Sequence, residues 1–392
     1  MIKKLVSLAI VAAGLSGAAV AQETIKIGVM PVDSGPISVY SVMVTNPAEL
    51  AIDALNAKGG ALGRKYELVT QAHNGTPAGA LAAASKLVQQ SGVSYLVGVS
   101  TSSIASALAP RLSGLNALFL DTGSGLDDLV GKGCQPNFFR ISSNDSMMIN
   151  TLRAAVKQSG AKTWNLLMAD YALGHEFAKT FEALVQENGG TVQTTLFAPL
   201  TTTDFGSFIS QLSAKPADGL GVFYPGSGGV AFAKQQHQFG LFPKFKSVLT
   251  WYFTNDLFLP AMGDTVTGAY SAMSYSWDQP GAANAAFVKA FEAKYKRKPV
   301  YGDADNYAVY EILNAAILKA KSADMAAVRA ALPGLKVNTV LGDVEMRAAD
   351  HQLVRSMTLA QVVKTGDKVA MVTRAVEPGA KVTPPPNPEC KL

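Results

Sequence analysis

Residues 95–103 read YLVGVSTSS, a short apolar run that passes directly into four hydroxyl residues. A run of this length, bounded by polar residues and followed by a helical pattern, is typical of a buried parallel strand. Strand patterns and longer helix patterns alternate on both sides of this stretch. The strands are predicted at 25–30, 65–70, 95–99 and 117–121, and the helices at 47–58, 77–90 and 103–112. This alternation predicts one doubly wound parallel sheet.

A second alternating series begins after Arg140 and has the same design. Its helices are predicted at 145–159, 173–188, 205–214 and 228–239, and its strands at 163–168, 191–197, 219–224 and 247–252. Later helices at 282–295 and 304–320 and later strands at 356–364 and 368–373 have no sheet of their own. We expect these late segments to return and complete the two halves.

The predicted fold class is therefore α/β, with two doubly wound parallel-sheet lobes joined by a three-segment hinge. The chain is expected to cross between the lobes near Ile141, Thr267 and Arg347. Lobe 1 then comprises 22–141 plus 268–346, lobe 2 comprises 142–267 plus 347–376, and a Pro-rich tail follows at 377–392. A hinge between rigid lobes is a common means of closing on a ligand.

The first 21 residues have the pattern of a secretory signal peptide. Lys3 and Lys4 precede an apolar run at 5–20, and the small residues of Ala19-Val20-Ala21 suit cleavage after Ala21. A lipoprotein needs a Cys at the cleavage point, where this sequence has Gln22. Later apolar runs are too short to cross a bilayer. We expect a mature protein released into the periplasm.

The charge pattern and the two cysteines also limit the function. The formal net charge is +5, and basic residues are scattered except for the group at 294–298. A solvated helix face explains that group better than a nucleic-acid site. Cys134 and Cys390 meet an oxidising compartment after export, which favours a disulfide that fastens the Pro-rich tail over two free thiols.

Ligands of open parallel sheets bind beyond the carboxyl ends of the strands. Hydroxyl clusters stand there at 100–103 and 122–125, and hydroxyl and N–H donors at a helix start suit a carboxylate. A single Ser can instead only cap its helix. The matching positions of lobe 2 carry Tyr171, Tyr224, Gly226, Trp251 and Tyr252. Aromatic side chains at a cleft favour an apolar or ring-bearing ligand body, although core packing is the alternative, credible mainly for Phe253.

The chain resembles the periplasmic solute-binding proteins of the branched-chain amino-acid type, which have the type I fold and serve ATP-driven importers. The resemblance is carried by the order and spacing of IKIGVM with Ser34-Gly35-Pro36, AELAIDALNAKGGALGRKYELV (48–69), YLVGVSTSS (95–103), NFFRISSND (137–145), DYALG (170–174) and TTTDF (201–205). It implies that the ligand carboxylate is held by Thr101, Ser102, Gly123 and Ser124, with Tyr40 lining the pocket. The opposite lobe is then expected to contribute Leu173, the stretch at 224–228, and Trp251 with Tyr252. It also implies ABC permease subunits as partners and a monomer.

Two departures from the family pattern concern the ligand. Amino-acid binders of the family hold the α-ammonium with an acid near the strand end that here reads Thr250-Trp251-Tyr252-Phe253, and Leu173 stands where a Tyr is common. Burying an unpaired ammonium costs several kcal/mol. An ordinary amino acid is thus disfavoured unless Asp170, Asp256 or Asp305 reaches the cleft. An aromatic or apolar carboxylate is favoured, with a branched-chain amino acid or a ligand-sensing role for a membrane receptor as alternatives.

Motifs of enzymes are incomplete in this sequence. His175-Glu176 begins like a zinc-protease helix, but position 179 is Lys where the second His belongs. The stretch at 226–231, GSGGVA, fits a dinucleotide fingerprint, yet the following strand ends without an acid for a ribose. We therefore expect no enzymatic activity, no cofactor and no metal site.

Overall fold

The computed structural model describes residues 23–35, 37–98 and 101–392, so the predicted signal peptide and its cleavage point lie outside the described residues. The first lobe is built on a five-stranded parallel sheet of order β2-β1-β3-β4-β5. Its strands are β1 (Ile25–Val29), β2 (Tyr66–Thr70), β3 (Tyr95–Gly98), β4 (Leu118–Asp121) and β5 (Phe138–Arg140). The helices between them are α1 (Val42–Ala57), α2 (Pro77–Ser91), α3 (Ser102–Leu108) and α4 (Leu112–Leu115).

The second lobe follows the same plan with a larger sheet. Its first strands are β6 (Thr163–Ala169), β7 (Thr191–Ala198), β8 (Gly219–Phe223), β9 (Ser247–Trp251) and β10 (Tyr270–Met273). Its helices are α5 (Asp145–Ser159), α6 (Ala172–Glu187), α7 (Gly206–Ala214), α8 (Gly226–Gln238) and α9 (Leu259–Met262). These five strands run parallel to one another.

The rest of the chain completes both lobes, as the sequence predicts. Helices α10 (Ala282–Tyr295), α11 (Tyr301–Ala320) and α12 (Met325–Ala331) share the core of the first sheet, where Phe287, Ala304 and Val328 pack with Ile27. A small antiparallel sheet follows, made of β11 (Lys336–Thr339), β12 (Gly342–Met346) and β13 (Leu353–Val354). Strand β14 (Met357–Thr365) then pairs antiparallel with β10, and β15 (Lys368–Glu377) pairs antiparallel with β14. The second sheet therefore has the order β15-β14-β10-β9-β8-β6-β7.

The fold class predicted from the sequence is confirmed, with corrections to several elements. Helix α1 begins at Val42 rather than at Pro47, because burial of Met43 and Val44 offsets the hydrogen bond that an internal proline cannot donate. Strands β5 and β10 and the small sheet β11–β13 were not predicted. Strands β5 and β13 have three residues or fewer, and β10, β11 and β12 contain Ala, Gly or charged residues that are unfavourable in strands.

The chain crosses between the lobes three times, near Ser142, Ser274 and Arg355. The second and third crossings therefore lie C-terminal to the predicted Thr267 and Arg347. The reason is strand pairing: β10 still belongs to the second sheet, and β13 still pairs with β12 in the first lobe. The three crossings are hydrogen-bonded together, because Gln352 Nε2 donates to the Ser142 carbonyl at 3.0 Å and Arg355 Nη2 donates to the Ser274 carbonyl.

The C-terminal tail links the lobes once more. Helix α13 (Gly379–Val382) packs on the second lobe, where Val382 is buried and Asn150 Nδ2 donates to its carbonyl at 2.9 Å. The tail then returns to the first lobe, and Cys390 forms a disulfide with Cys134, with a Cα–Cα distance of 5.5 Å. The predicted disulfide is thus confirmed, and it attaches the tail to the first lobe. Among the described helices, none combines the length and apolar character needed to cross a membrane.

Candidate functional site

A cavity lies between the two lobes, at the carboxyl ends of both parallel sheets. Its volume is about 100 Å³, several times the ~10–15 Å³ that one water molecule requires. The first lobe contributes Ile37, Tyr40, Met43, Thr101, Ser102, Thr122, Gly123, Tyr301, Gly302 and Asp305. The second lobe contributes Tyr171, Leu173, Phe223, Pro225 and Tyr252, and the first crossing contributes Ser142.

Two hydroxyl groups on the first-lobe wall are placed to donate to a ligand. Thr101 caps α3, and its Oγ1 accepts from the Ile104 N–H at 3.4 Å. Ser102 Oγ accepts from the N–H groups of Gly125 and Leu126, each at 3.3 Å. Neither hydroxyl donates a hydrogen bond within the described part of the chain, so the hydrogen of each is available for a further acceptor.

Ser124 and the N–H of Gly123 donate hydrogen bonds within the protein. Ser124 donates its hydroxyl and its N–H to Asp121 Oδ2, the latter at 3.2 Å, and Gly123 donates its N–H to Asp121 Oδ1 at 3.4 Å. Both residues therefore hold the buried carboxylate of Asp121 at the end of β4. Gly123 still lines the cavity, whereas Ser124 lies behind the lining and is almost fully buried.

Four tyrosines surround the remaining space: Tyr40, Tyr171, Tyr252 and Tyr301. Burial raises the pKa of all four phenols, which therefore stay neutral and able to donate hydrogen bonds at physiological pH. Tyr252 has φ +55°, a backbone conformation that is uncommon for a residue of this size and is often found at functional sites. The Tyr252 and Tyr301 rings meet edge to face across the lobes, 5.5 Å between centroids.

Tyr40 makes a second contact between the lobes. Its hydroxyl oxygen accepts from the Gly226 N–H at 2.9 Å, at the start of α8, and its ring lies edge-on to Phe258 at 5.8 Å. Gly226 has φ +76°, which a residue with a side chain rarely adopts. These contacts show that the lobes are closed over the cavity in this structure.

Asp305 is a charged residue in the cavity lining, and it is already paired. It is the fifth residue of α11 and accepts a hydrogen bond at Oδ1 from Arg355 Nη1. Burial raises the pKa of Asp305 to about 6, while Arg355 acts in the opposite direction. Of the three acids that the sequence left open, Asp305 is the one that reaches the lining. Asp170 pairs with His175 Nε2 at 2.8 Å, outside the lining, and Asp256 lines a different pocket.

A second buried acidic group lies behind the cavity wall. Asp145 begins α5, and neither of its carboxyl oxygens has a hydrogen-bond partner among the described residues. Burial raises the pKa of Asp145 well above its usual range, and the nearby charge of Asp127 adds to this shift. Asp145 therefore retains its proton more readily than an exposed acid. A side chain at Gly125 would meet both Asp145 and Leu173, which places this carboxyl group just behind the lining.

Comparisons with known proteins agree with this architecture. A sequence model described as periplasmic binding protein matches residues 24–367. The chain belongs to the periplasmic binding protein family. This confirms the resemblance stated above.

Individual relatives of this periplasmic binding protein cover most of its length. The Leu/Ile/Val-binding protein BraC3 of Rhizobium johnstonii is 27% identical over 343 residues, which cover 85% of this chain and 90% of the relative. A solute-binding protein of an ABC transporter from Rhodopseudomonas palustris BisB5, solved with 3,4-dihydroxybenzoic acid, superposes with a TM-score of 0.84 at 22% identity and covers 91% of this chain and 98% of its own. Another solute-binding protein from R. palustris, solved with benzoate, superposes with a TM-score of 0.83 at 23% identity. The match covers 94% of this chain and 100% of that protein.

The structure brings together seven of the residues that the sequence proposed for the site. Those in the cavity lining are Tyr40, Thr101, Ser102, Gly123, Tyr171, Leu173 and Tyr252. Gly226 lies next to the lining through its bond to Tyr40. Their roles in binding stay predictions.

Three proposed residues lie outside the lining. Ser124 binds Asp121, as described above. Trp251 is fully buried and stacks on Phe181 at 5.3 Å between centroids, and the Tyr224 hydroxyl donates to the Pro199 carbonyl. Trp251 and Tyr224 therefore pack in the core of the second lobe. Core packing was the alternative that the sequence made credible mainly for Phe253.

Several lining residues were not proposed from the sequence as ligand contacts, chiefly Met43, Phe223 and Tyr301, and Asp305 was left open as one of three acids. Tyr301 and Asp305 belong to a helix that begins far along the chain and returns to the first lobe. The predicted start of this helix could have suggested them, because helix N-termini of a two-lobed fold often face the cleft. Only the tertiary structure shows which helix starts do so.

Proposed function

We propose that this protein is the solute-binding component of an ABC importer and that it acts outside the cytoplasm. The ligand is a small carboxylate with an apolar or aromatic body, bound between the lobes and released unchanged. Membership of the periplasmic binding protein family supports the role in solute capture. The permease subunits of an importer are then the macromolecular partner, and the binding protein acts as a monomer that presents its closed form.

The composition of the cavity wall supports this ligand class. The free hydroxyls of Thr101 and Ser102 suit carboxylate oxygens, and Tyr171, Phe223 and Leu173 offer a largely apolar surface for the rest of the ligand. The charged lining residue Asp305 already pairs with Arg355, so an α-ammonium would find no unpaired acid in the described lining. This pairing is the single observation that carries the preference for a carboxylate without an α-amino group. Two superposing binding proteins were solved with benzoate or dihydroxybenzoate, in agreement with it.

A branched-chain amino acid is the second candidate ligand. The relative from R. johnstonii carries the name Leu/Ile/Val-binding protein. The structural observation in favour of this candidate is that Asp305 does reach the cavity. An ammonium would have to share this carboxylate with the guanidinium of Arg355, which makes it the weaker of the two candidates.

Thermal unfolding of the purified, ligand-stripped protein tests the proposal. The panel contains benzoate, 4-methylpentanoate, leucine, valine, benzamide and glucose, so that benzoate and benzamide differ in charge and 4-methylpentanoate differs from leucine in the α-amino group. A ligand at a hundredfold its Kd stabilises the folded state by ~2.7 kcal/mol, which gives a measurable rise in Tm. We expect a rise with the carboxylates that lack an α-amino group. A rise confined to leucine and valine would establish the second candidate, and no rise with any carboxylate would contradict the proposal.

A further inference from the structure

The carboxylate of Asp305 has one occupied and one unoccupied oxygen. Asp305 is only 2% exposed and lines the cavity near the start of α11. Oδ1 accepts from Arg355 Nη1, whereas Oδ2 has no hydrogen-bond partner among the described residues. Oδ2 is absent from the fully enclosed unpaired atoms of the described residues, so it keeps some access to the cavity, and an ionised carboxylate oxygen acts as an acceptor. This acceptor at the wall of a binding cavity suits a hydrogen-bond donor on the ligand.

Arg355 determines which kind of donor suits this acceptor. The guanidinium is 1% exposed at the third crossing, and its Nη2 donates to the Ser274 carbonyl at the second crossing. It is thus held in place on two sides, and its charge balances that of Asp305. An ammonium on the ligand would have to share the Asp305 carboxylate with Arg355, so it would lose its water without a full counter-charge at this place, which is costly. A hydroxyl group would satisfy Oδ2 and add no charge.

We propose that Asp305 is a specificity-determining residue that accepts a hydrogen bond from a hydroxyl group of the ligand. Arg355 is a positioning residue that acts through Asp305 and disfavours an ammonium at the same place. This inference rests on the proposed function and narrows its ligand class to hydroxylated carboxylates.

The first test uses the natural protein and ligands matched at one position. 3-Phenylpropanoate, 3-phenyllactate and phenylalanine differ only in the group at C2, which is hydrogen, hydroxyl or ammonium. Benzoate, 3-hydroxybenzoate and 4-hydroxybenzoate place the hydroxyl on a ring instead. Isothermal titration calorimetry gives each Kd.

We expect a hydroxylated member of one series to bind at least about tenfold more tightly than its parent, as a hydrogen bond to a charged group allows. We also expect phenyllactate to bind more tightly than phenylalanine. Parents that bind as tightly as every hydroxylated form would overturn the inference while leaving the proposed function intact, and so would phenylalanine as the tightest ligand. Absence of binding by all six would overturn the inference, and absence of binding by 4-methylpentanoate as well would overturn the proposed function.

The second test removes the pair. The double variant Asp305→Leu/Arg355→Met leaves no buried charge unpaired, and such replacements are often tolerated. The preference for the hydroxyl should fall to within about twofold, while the parent carboxylate still binds. In the single variant Arg355→Met, the unpaired Asp305 should shift the preference towards phenylalanine. A hydroxyl preference that survives in the double variant would contradict the role of Asp305.

A matched control exists on the same helix. Asp303 is buried and pairs with Arg297, Nη2 to Oδ1 at 2.8 Å, but neither residue lines the cavity. The variant Asp303→Leu/Arg297→Met removes another Asp–Arg pair of the same helix and should keep the hydroxyl preference of the natural protein. Loss of the preference in this control too would assign the effect to the stability of α11. If a variant fails to fold, the Kd values of the matched ligands with the natural protein still test the inference.

Discussion

At the scale of single residues, similar side chains in the sequence have different tasks in the structure. Ser102 and Ser124 both follow a strand of the first sheet. Ser102 accepts two backbone N–H groups and keeps its own hydrogen for the cavity. Ser124 donates its hydrogen to Asp121. The direction of the hydrogen bond, and not the residue type, separates a candidate ligand contact from a structural residue.

This difference predicts opposite effects for two alanine substitutions. Ser102→Ala should weaken carboxylate binding about tenfold, because a hydrogen bond to a charged group contributes ~1.5–3 kcal/mol. Ser124→Ala should mainly lower Tm, because it leaves the buried Asp121 with one donor fewer. Calorimetric Kd values and Tm values for both variants check this. An unchanged Kd for Ser102→Ala, or a larger loss of affinity for Ser124→Ala, would contradict the assignment.

Glu311 provides a prediction about pH. It lies on α11, accepts from the Val340 N–H at 2.9 Å, and burial raises its pKa from 4.5 to about 7. An acid whose pKa is higher in the folded state loses stability as the pH rises, here between about 4.5 and 7. Glu311→Gln keeps the acceptor and removes the charge. The variant should be more stable than the natural protein by about 1 kcal/mol or more at pH 8, and the gain should disappear near the lower end of that range.

Denaturant titrations of the natural protein and of Glu311→Gln, at pH 8 and near the lower end of the pH range, measure the difference in stability. Glu182→Gln, on the exposed face of α6, is the matched control and should change stability little at either pH. A gain for Glu311→Gln that is equal at both pH values would show that burial of the charge is not its cause.

At the scale of elements, the end of β9 shows how a strand divides its residues between core and site. A parallel strand covered by helices on both faces is buried throughout, and β9 is buried from Val248 to Trp251. The left-handed backbone of the next residue, Tyr252, then directs the chain towards the cavity. Trp251 thus lies in the core and Tyr252 at the cavity. The sequence of consecutive aromatic residues does not distinguish the two environments.

This division predicts different effects for the two aromatics. The position of Trp251 at a strand end favours a role in ligand choice, but its full burial and contacts with Phe181 and Phe177 indicate a structural one. Trp251→Ala should cost ~3–5 kcal/mol of stability. Tyr252→Ala should cost less stability and change ligand preference more. Unfolding midpoints and the ligand panel compare the two, and a stable Trp251→Ala protein with altered ligand preference would reverse this assignment.

At the scale of the whole molecule, the lobes are connected by three crossings and by the tail. The disulfide between Cys134 and Cys390 spans 256 residues of sequence and fastens the tail to the first lobe. Helix α13 packs on the second lobe, and Arg347 Nη1 donates to the Pro384 carbonyl at 2.7 Å on the way back. Covalent closure of so long a segment restricts the unfolded chain more than the folded one.

The double variant Cys134→Ser/Cys390→Ser should therefore lower the free energy of unfolding by ~2–4 kcal/mol. Ligand preference should stay the same, because neither cysteine lines the cavity. Reductant should lower the Tm of the natural protein to a similar extent and leave that of the variant unchanged. Equal Tm values for the oxidised natural protein and the variant would show that the tail docks without the disulfide.

The sequence by itself determined the α/β class, the two-lobed plan, the Cys134–Cys390 pairing and the edge of the sheets where the cavity lies. The fold features follow from local periodicity and from the rule that parallel strands place their loops at one edge, and the disulfide follows from two cysteines in a chain with an export signal. The tertiary structure alone decided that β10 joins the second sheet, that Trp251 turns inward, and that Asp305 reaches the cavity already paired. Periodicity indicates that a residue is buried, but it does not identify the residues that pack against it. Those partners depend on contacts between segments far apart in the chain.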